Sequence, residues 1–208
     1  MPDVSGVFEE TYAFYLNQIA ELDLAAMASE LGAEADGGRI VISFFDRCYT
    51  VGPQGITDAH GGRPSFDTCI VLFKHILLCP PDQPAARDWT SFRDFKDSGP
   101  LTKYFAHEVE QLVSGHFAGR KAALIAACKG LGGQAPELDL AYDVSMRFEP
   151  LARVPLLLLF NDRDEAFPAQ CSVLFEQRAH TYLDGECLAI LGNMLARRLK
   201  QWDAGEVR

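Results

Sequence analysis

The feature that most constrains the fold is the apolar run VPLLLLF at residues 154–160, which contains no polar side chain. A strand with one solvated face alternates apolar and polar residues, whereas a strand covered on both faces is apolar throughout. The run has the length of a strand and is far shorter than the ~20 residues that a membrane helix requires. It therefore predicts a strand in the interior of a sheet.

The segments around this run extend the prediction to a whole fold. Residues 141–148 predict a neighbouring strand, residues 171–177 an edge strand, and residues 39–45 with 48–51 a hairpin. Apolar residues at helical spacing predict helices near both termini and through the middle of the chain. The sequence therefore predicts an α+β fold, with one antiparallel or mixed sheet covered by helices. All 208 residues are expected to form a single domain.

Charge and hydropathy exclude several classes of function. The chain has 29 acidic against 19 basic residues and a net charge of -10. Nucleic acids and anionic lipids repel such a chain, because binding them requires a basic surface. No basic segment followed by an apolar stretch stands at the amino terminus. We expect a cytoplasmic protein that binds neither nucleic acid nor membranes.

The cysteines are scattered singly and form no CxxC pair, which favours reduced thiols over disulfides. Cys48, Cys128 and Cys187 are interpreted as small core residues. His75 and Cys79 are four residues apart in a predicted helix, so one face could present two ligands to zinc or iron. A site would need a third ligand, and the alternative is a half-buried histidine beside a buried cysteine.

A polar turn directly after the apolar run is the second candidate site. It contains Asp162, Asp164 and Glu165 and closes with Phe167 and Pro168. Clustered carboxylates at a strand end can hold a hard cation or act as a general base. The alternative is a solvated turn, in which Asn and Asp side chains satisfy local backbone donors.

Several short motifs resemble the DUF3786 family, a domain of unknown function found chiefly in anaerobic bacteria and archaea. The motifs are Trp89 with Phe92 and Phe95, Gly132 with Gly133, Val154 with Pro155, residues 164–168, Leu174 with Phe175, Tyr182 with Leu183, and Glu186. Members of that family are sometimes fused behind an iron–sulfur cluster-binding domain of the kind seen in corrinoid proteins. The present sequence lacks the four closely spaced cysteines of such a domain.

The resemblance implies a small-ligand or metallocofactor binding domain linked to anaerobic metabolism of the iron–sulfur or corrinoid type. Its pocket would be lined by Trp89, the turn with Asp162, Asp164 and Glu165, and Tyr182. The sequence does not identify the cofactor.

Two alternatives remain open. An enzyme could use the carboxylates of the turn as acid and base. A protein-interaction module without chemistry could dock exposed aromatic residues among Trp89, Phe92 and Phe95 onto a partner in redox or methyl-transfer metabolism.

Overall fold

The computed structural model describes residues 4–206. Its helices are α1 (Val4–Ala20), α2 (Leu24–Leu31), α3 (Phe66–Leu77), α4 (Thr102–Phe105), α5 (Leu112–Phe117), α6 (Lys121–Gly130) and α7 (Gly185–Asp203). Its strands are β1 (Glu34–Asp36), β2 (Arg39–Phe44), β3 (Arg47–Gly52), β4 (Gly55–Thr57), β5 (Trp89–Ser91), β6 (Val144–Leu151), β7 (Val154–Asn161) and β8 (Gln170–Glu176). A π-helical segment, Ala106–Gln111, joins α4 to α5.

The strands form two antiparallel sheets of four, in the orders β1-β2-β3-β4 and β5-β8-β7-β6. The α+β class is confirmed, whereas the prediction of a single sheet is wrong. The first sheet is a meander whose strands pair only with their sequence neighbours. The Phe45 N–H donates to the Pro150 carbonyl at 2.8 Å and links the turn after β2 to strand β6 of the second sheet. Periodicity identifies strands but carries no information about distant partners.

The apolar run forms β7, which lies between β6 and β8 as predicted for an interior strand. The prediction that residues 171–177 form an edge strand is wrong, because β8 also has two neighbours. Its outer neighbour is β5, where Trp89 pairs with Glu176. A strand of three residues is too short to show a period of two, so the sequence does not predict β5.

Buried residues form one continuous hydrophobic cluster that includes side chains from both sheets and from the helices. Phe92 and Phe95 are buried, and the Phe92 ring stacks on Phe105 with centroids 4.4 Å apart. Cys128 and Cys187 are buried, whereas Cys48 is exposed. The core assignment of Cys48 is therefore wrong. On its strand, the adjacent Tyr49 faces the core instead.

Within residues 4–206, no helix is both long enough and apolar enough to cross a lipid bilayer.

Gly133 is predicted to be a position that tolerates no side chain. A Cβ atom there would lie 2.8 Å from the Cys128 carbonyl oxygen and 2.8 Å from the Phe148 ring. We expect Gly133→Ala to lower the free energy of unfolding by about 1–3 kcal/mol in urea, because a backbone atom must move. Gly115→Ala is the control. A Cβ at Gly115 meets no atom within 4 Å, so this helical substitution should stabilise by up to about 1 kcal/mol. Equal effects of the two substitutions would contradict the steric argument.

Candidate functional site: an arginine-lined pocket

A pocket of about 520 Å³ lies between the first sheet and helices α3 and α7. This volume lies in the range of small-molecule sites. Its lining combines basic, acidic, neutral polar and apolar side chains: Arg47, Arg63, Arg197 and Arg198; Asp58 and Asp67; Tyr49, Ser65, Thr68 and Gln201; Phe44, Pro64 and Met194.

The four arginines reach the pocket from three parts of the chain. Arg47 opens β3, Arg63 precedes α3, and the adjacent Arg197 and Arg198 stand near the end of α7. Ala196 and Leu199 are buried, which fixes the inner face of α7 and leaves the two arginines at the rim. Four guanidinium groups thus line one concave surface in a chain whose net charge is -10.

Two of these arginines are held by neighbouring side chains. The Arg63 guanidinium pairs with Glu9 at 2.7 Å and lies over the Tyr12 ring, 4.1 Å from its centroid. Arg198 pairs with Asp46 and lies 4.7 Å from the centroid of the Phe45 ring. Within residues 4–206, the Nε atom of Arg198 is buried and makes no hydrogen bond, so it is not accessible from the pocket.

The other two arginines can still pair with an anion. Within residues 4–206, Arg47 and Arg197 form no ion pair with an acidic side chain. Burial raises the pKa of Tyr49 while the nearby Arg47 and Arg198 lower it, and the net shift is upward. Tyr49 therefore stays a neutral hydroxyl that can donate to a ligand. Together these groups can bind an anion through several charge-assisted hydrogen bonds.

The pocket also contains fixed acceptors. Asp58 Oδ1 accepts the backbone N–H groups of His60 and Gly62, both at 2.9 Å, and these bonds lower the pKa of Asp58. The carboxylate is thereby held in one orientation and in its ionised form. Asp67 lies in the first turn of α3, whose N-cap Ser65 accepts the Thr68 N–H at 3.4 Å.

The acidic turn predicted from the sequence lies at a different cavity, of about 630 Å³. That cavity is lined by Ala141, Tyr142, Asp143, Asn161, Asp162, Asp164, Phe167, Pro168 and Gln170, and Glu165 is exposed nearby. The cavity lies at the start of β6, the end of β7 and the start of β8. The strand-end location is thus as expected.

The carboxylates of this turn mainly satisfy the local backbone. Asp162 Oδ1 accepts the Gly119 N–H at 2.6 Å, and Asp164 Oδ1 accepts two N–H groups just after Glu165, both at 2.7 Å. Burial raises the pKa of Asp162, but the hydrogen bonds from backbone N–H groups outweigh it and lower the pKa overall. The contacts match the alternative of an internally hydrogen-bonded turn. A lowered pKa does not suit a general acid or base near neutral pH.

The structure does not bring the predicted ligand-binding residues into one pocket. Trp89 is half-buried and lines a third cavity, of about 480 Å³, together with Arg147 and Glu176. Tyr182 is fully buried, and its ring centroid lies 5.7 Å from that of His75. The three groups are separated because β5, the turn after β7 and the segment after β8 lie at different places around the second sheet.

Helix α3 ends at Leu77, so Cys79 lies beyond it, and the prediction that one helix carries both His75 and Cys79 is wrong. His75 is fully buried, and within residues 4–206 its ring nitrogens make no hydrogen bond of good geometry. Among the described residues, no group of three or more His, Cys, Asp or Glu side chains is arranged to hold a metal ion.

The sequence analysis missed the arginine pocket because its residues are spread over about 150 positions of the chain. Arg197 and Arg198 resemble the basic residues commonly found at helix carboxyl ends, where they interact with the helix dipole. Arg47 follows a hairpin turn and Arg63 a glycine-rich loop. The sequence signal for this pocket was the pair Arg197 and Arg198 at one helix end of a strongly acidic chain.

Neither the curated proteins nor the solved structures include a match to this chain. A family profile, described as a domain of unknown function, matches residues 23–198. The match begins after α1 and includes all four pocket arginines and the acidic turn. The chain belongs to the DUF3786 family.

Proposed function

We propose that this protein is a small-ligand binding domain whose arginine pocket binds an anion. The observation that carries the proposal is the convergence of four arginines on one cavity, of which Arg47 and Arg197 form no ion pair within residues 4–206. Glu9 and Asp46 already offset Arg63 and Arg198. A bound anion would supply charge-assisted hydrogen bonds to Arg47 and Arg197.

The other hypotheses receive less support from the geometry. The interaction module required exposed aromatic residues, but Phe92 and Phe95 are buried and Trp89 is half-buried. The acid–base enzyme required a carboxylate with a raised pKa, and the pKa of Asp162 is lowered. A metallocofactor, and a link to anaerobic iron–sulfur or corrinoid metabolism, stay predictions of the family resemblance.

The proposal predicts saturable anion binding that depends on the unpaired arginines. Inorganic phosphate and succinate are the probes, titrated calorimetrically at low ionic strength. We expect Arg47→Gln and Arg197→Gln each to weaken binding by about tenfold, because each removes a charge-assisted hydrogen bond. Binding should also weaken as sodium chloride is added.

Arg93→Gln is the matched control, since Arg93 is 73% exposed and lies outside the pocket. This control should bind the probes like the wild-type protein. Binding that survives in the Arg47→Gln, Arg197→Gln double variant would show that the pocket is not the anion site. Absence of binding by the wild-type protein would reject the proposed function.

A further inference from the structure

We infer that the anion bound in the arginine pocket is a phosphate monoester whose organic part carries hydroxyl groups, as in a sugar phosphate. This inference rests on the proposed anion binding and specifies its ligand class. It follows from the number of arginines, from the two carboxylates that share the pocket with them, and from the neutral polar side chains between these charged groups.

The number of arginines favours phosphate over carboxylate. A carboxylate has two oxygens and one charge, and a single guanidinium can satisfy both oxygens in a forked pair. A phosphate monoester has three peripheral oxygens and about two charges near neutral pH. Arg47 and Arg197, which lack an ion-pair partner among residues 4–206, provide donors for such a group.

The two carboxylates of the pocket restrict which chemical groups the organic part of the ligand can carry. Asp58 and Asp67 line the same pocket and would repel a second anionic group, which disfavours polyphosphates. Asp58 uses Oδ1 for two backbone N–H groups, so its Oδ2 atom is the oxygen left to accept from a ligand. The remainder of the ligand must therefore present hydrogen-bond donors.

Hydroxyl groups can supply those donors. Glu9 and Asp46 pair with Arg63 and Arg198, so with Asp58 and Asp67 the charges around the pocket are balanced. A hydroxyl group carries no charge and both donates and accepts. Ser65, Thr68, Tyr49 and Gln201 offer complementary polar groups in the same lining.

The test compares five probes by titration calorimetry: inorganic phosphate, ribose 5-phosphate, ribose, succinate and tripolyphosphate. We expect ribose 5-phosphate to bind about tenfold more tightly than inorganic phosphate, because its hydroxyl groups reach the carboxylates. Ribose alone should bind too weakly to measure, since the phosphate group supplies most of the attraction. Tripolyphosphate should bind less tightly than ribose 5-phosphate.

Asp58→Asn is the informative variant. The amide oxygen can keep the bonds to the His60 and Gly62 N–H groups, while the amide nitrogen replaces the free acceptor with a donor. We expect the variant to lose the roughly tenfold preference for ribose 5-phosphate and to bind inorganic phosphate at least as well as wild type. Asp67→Asn, at an exposed position, is a second variant with the same expected direction. Asp82→Asn, exposed and outside the pocket, is the control.

The outcomes distinguish a wrong ligand class from an absence of anion binding. Equal affinities for phosphate and ribose 5-phosphate, or tightest binding of succinate or tripolyphosphate, would overturn the ligand class while leaving anion binding intact. An unchanged preference in both aspartate variants would do the same. If no anionic probe binds the wild-type protein, both the proposed function and this inference fail.

Discussion

Replacement of Arg178 by methionine is expected to lower the free energy of unfolding by about 3–5 kcal/mol, because it leaves a buried carboxylate without its partner. Arg178 Nε donates to Glu176 Oε2 at 2.6 Å, and the two side chains are only 7% and 8% exposed. Removing a charge from water is costly, and the remaining carboxylate would have to be hydrated or protonated. Urea denaturation of the wild-type and variant proteins measures the difference.

The matched control removes both charges. The double variant Glu176→Leu, Arg178→Met should recover most of the lost stability, since a buried ion pair adds little net stability over apolar side chains of similar size. If the single variant is as stable as wild type, the pair is not desolvated in solution. If the double variant is as unstable as the single one, packing and not charge accounts for the loss.

Acidification is expected to destabilise this protein through His75. Burial lowers the pKa of His75 to about 4, and the nearby Arg153 adds to this effect, partly opposed by the Leu31 backbone. In the unfolded chain the pKa is about 6.5, so the unfolded state binds a proton at a higher pH than the folded state. The contribution of His75 to stability is therefore complete above pH ~6.5 and is lost progressively as the pH falls towards 4. The full loss is about 3 kcal/mol.

The measurement is urea denaturation at several pH values between 7 and 4. The variant His75→Phe should show a shallower loss of stability with acidification than wild type, because its ring does not bind a proton. The variant His60→Gln is the control, since His60 is exposed, and its pH dependence should follow wild type. If His75→Phe keeps the wild-type slope, carboxylates alone account for the acid sensitivity.

His75 shows that a helix can be predicted correctly while the contacts of its residues are not. The sequence predicted that His75 lies in a helix, but not which residues surround it. Its ring lies beside Tyr182, more than 100 residues later, and the Tyr182 hydroxyl is buried and makes no hydrogen bond within the described part of the chain. Helical spacing places a residue on a face, whereas the residue it contacts depends on how that face packs.

The sequence by itself determined the features that depend on neighbouring residues. Asp23, Ser65 and Asp184 each cap the helix that follows them, and each accepts a backbone N–H three residues later. The apolar run of β7 required coverage on both faces, and the structure provides it. Capping and periodicity act over a few residues, so a single sequence contains them completely.

Only the tertiary structure decided which distant segments meet. It separated the strands into two sheets, made β5 the neighbour of β8, and placed Trp89 and Tyr182 apart from the acidic turn. It also brought Arg47 and Arg197 to one cavity. These outcomes depend on the packing of whole faces, because burial of apolar area is non-directional and does not specify partners along the chain. The candidate site of this protein therefore became visible only when the chain was folded.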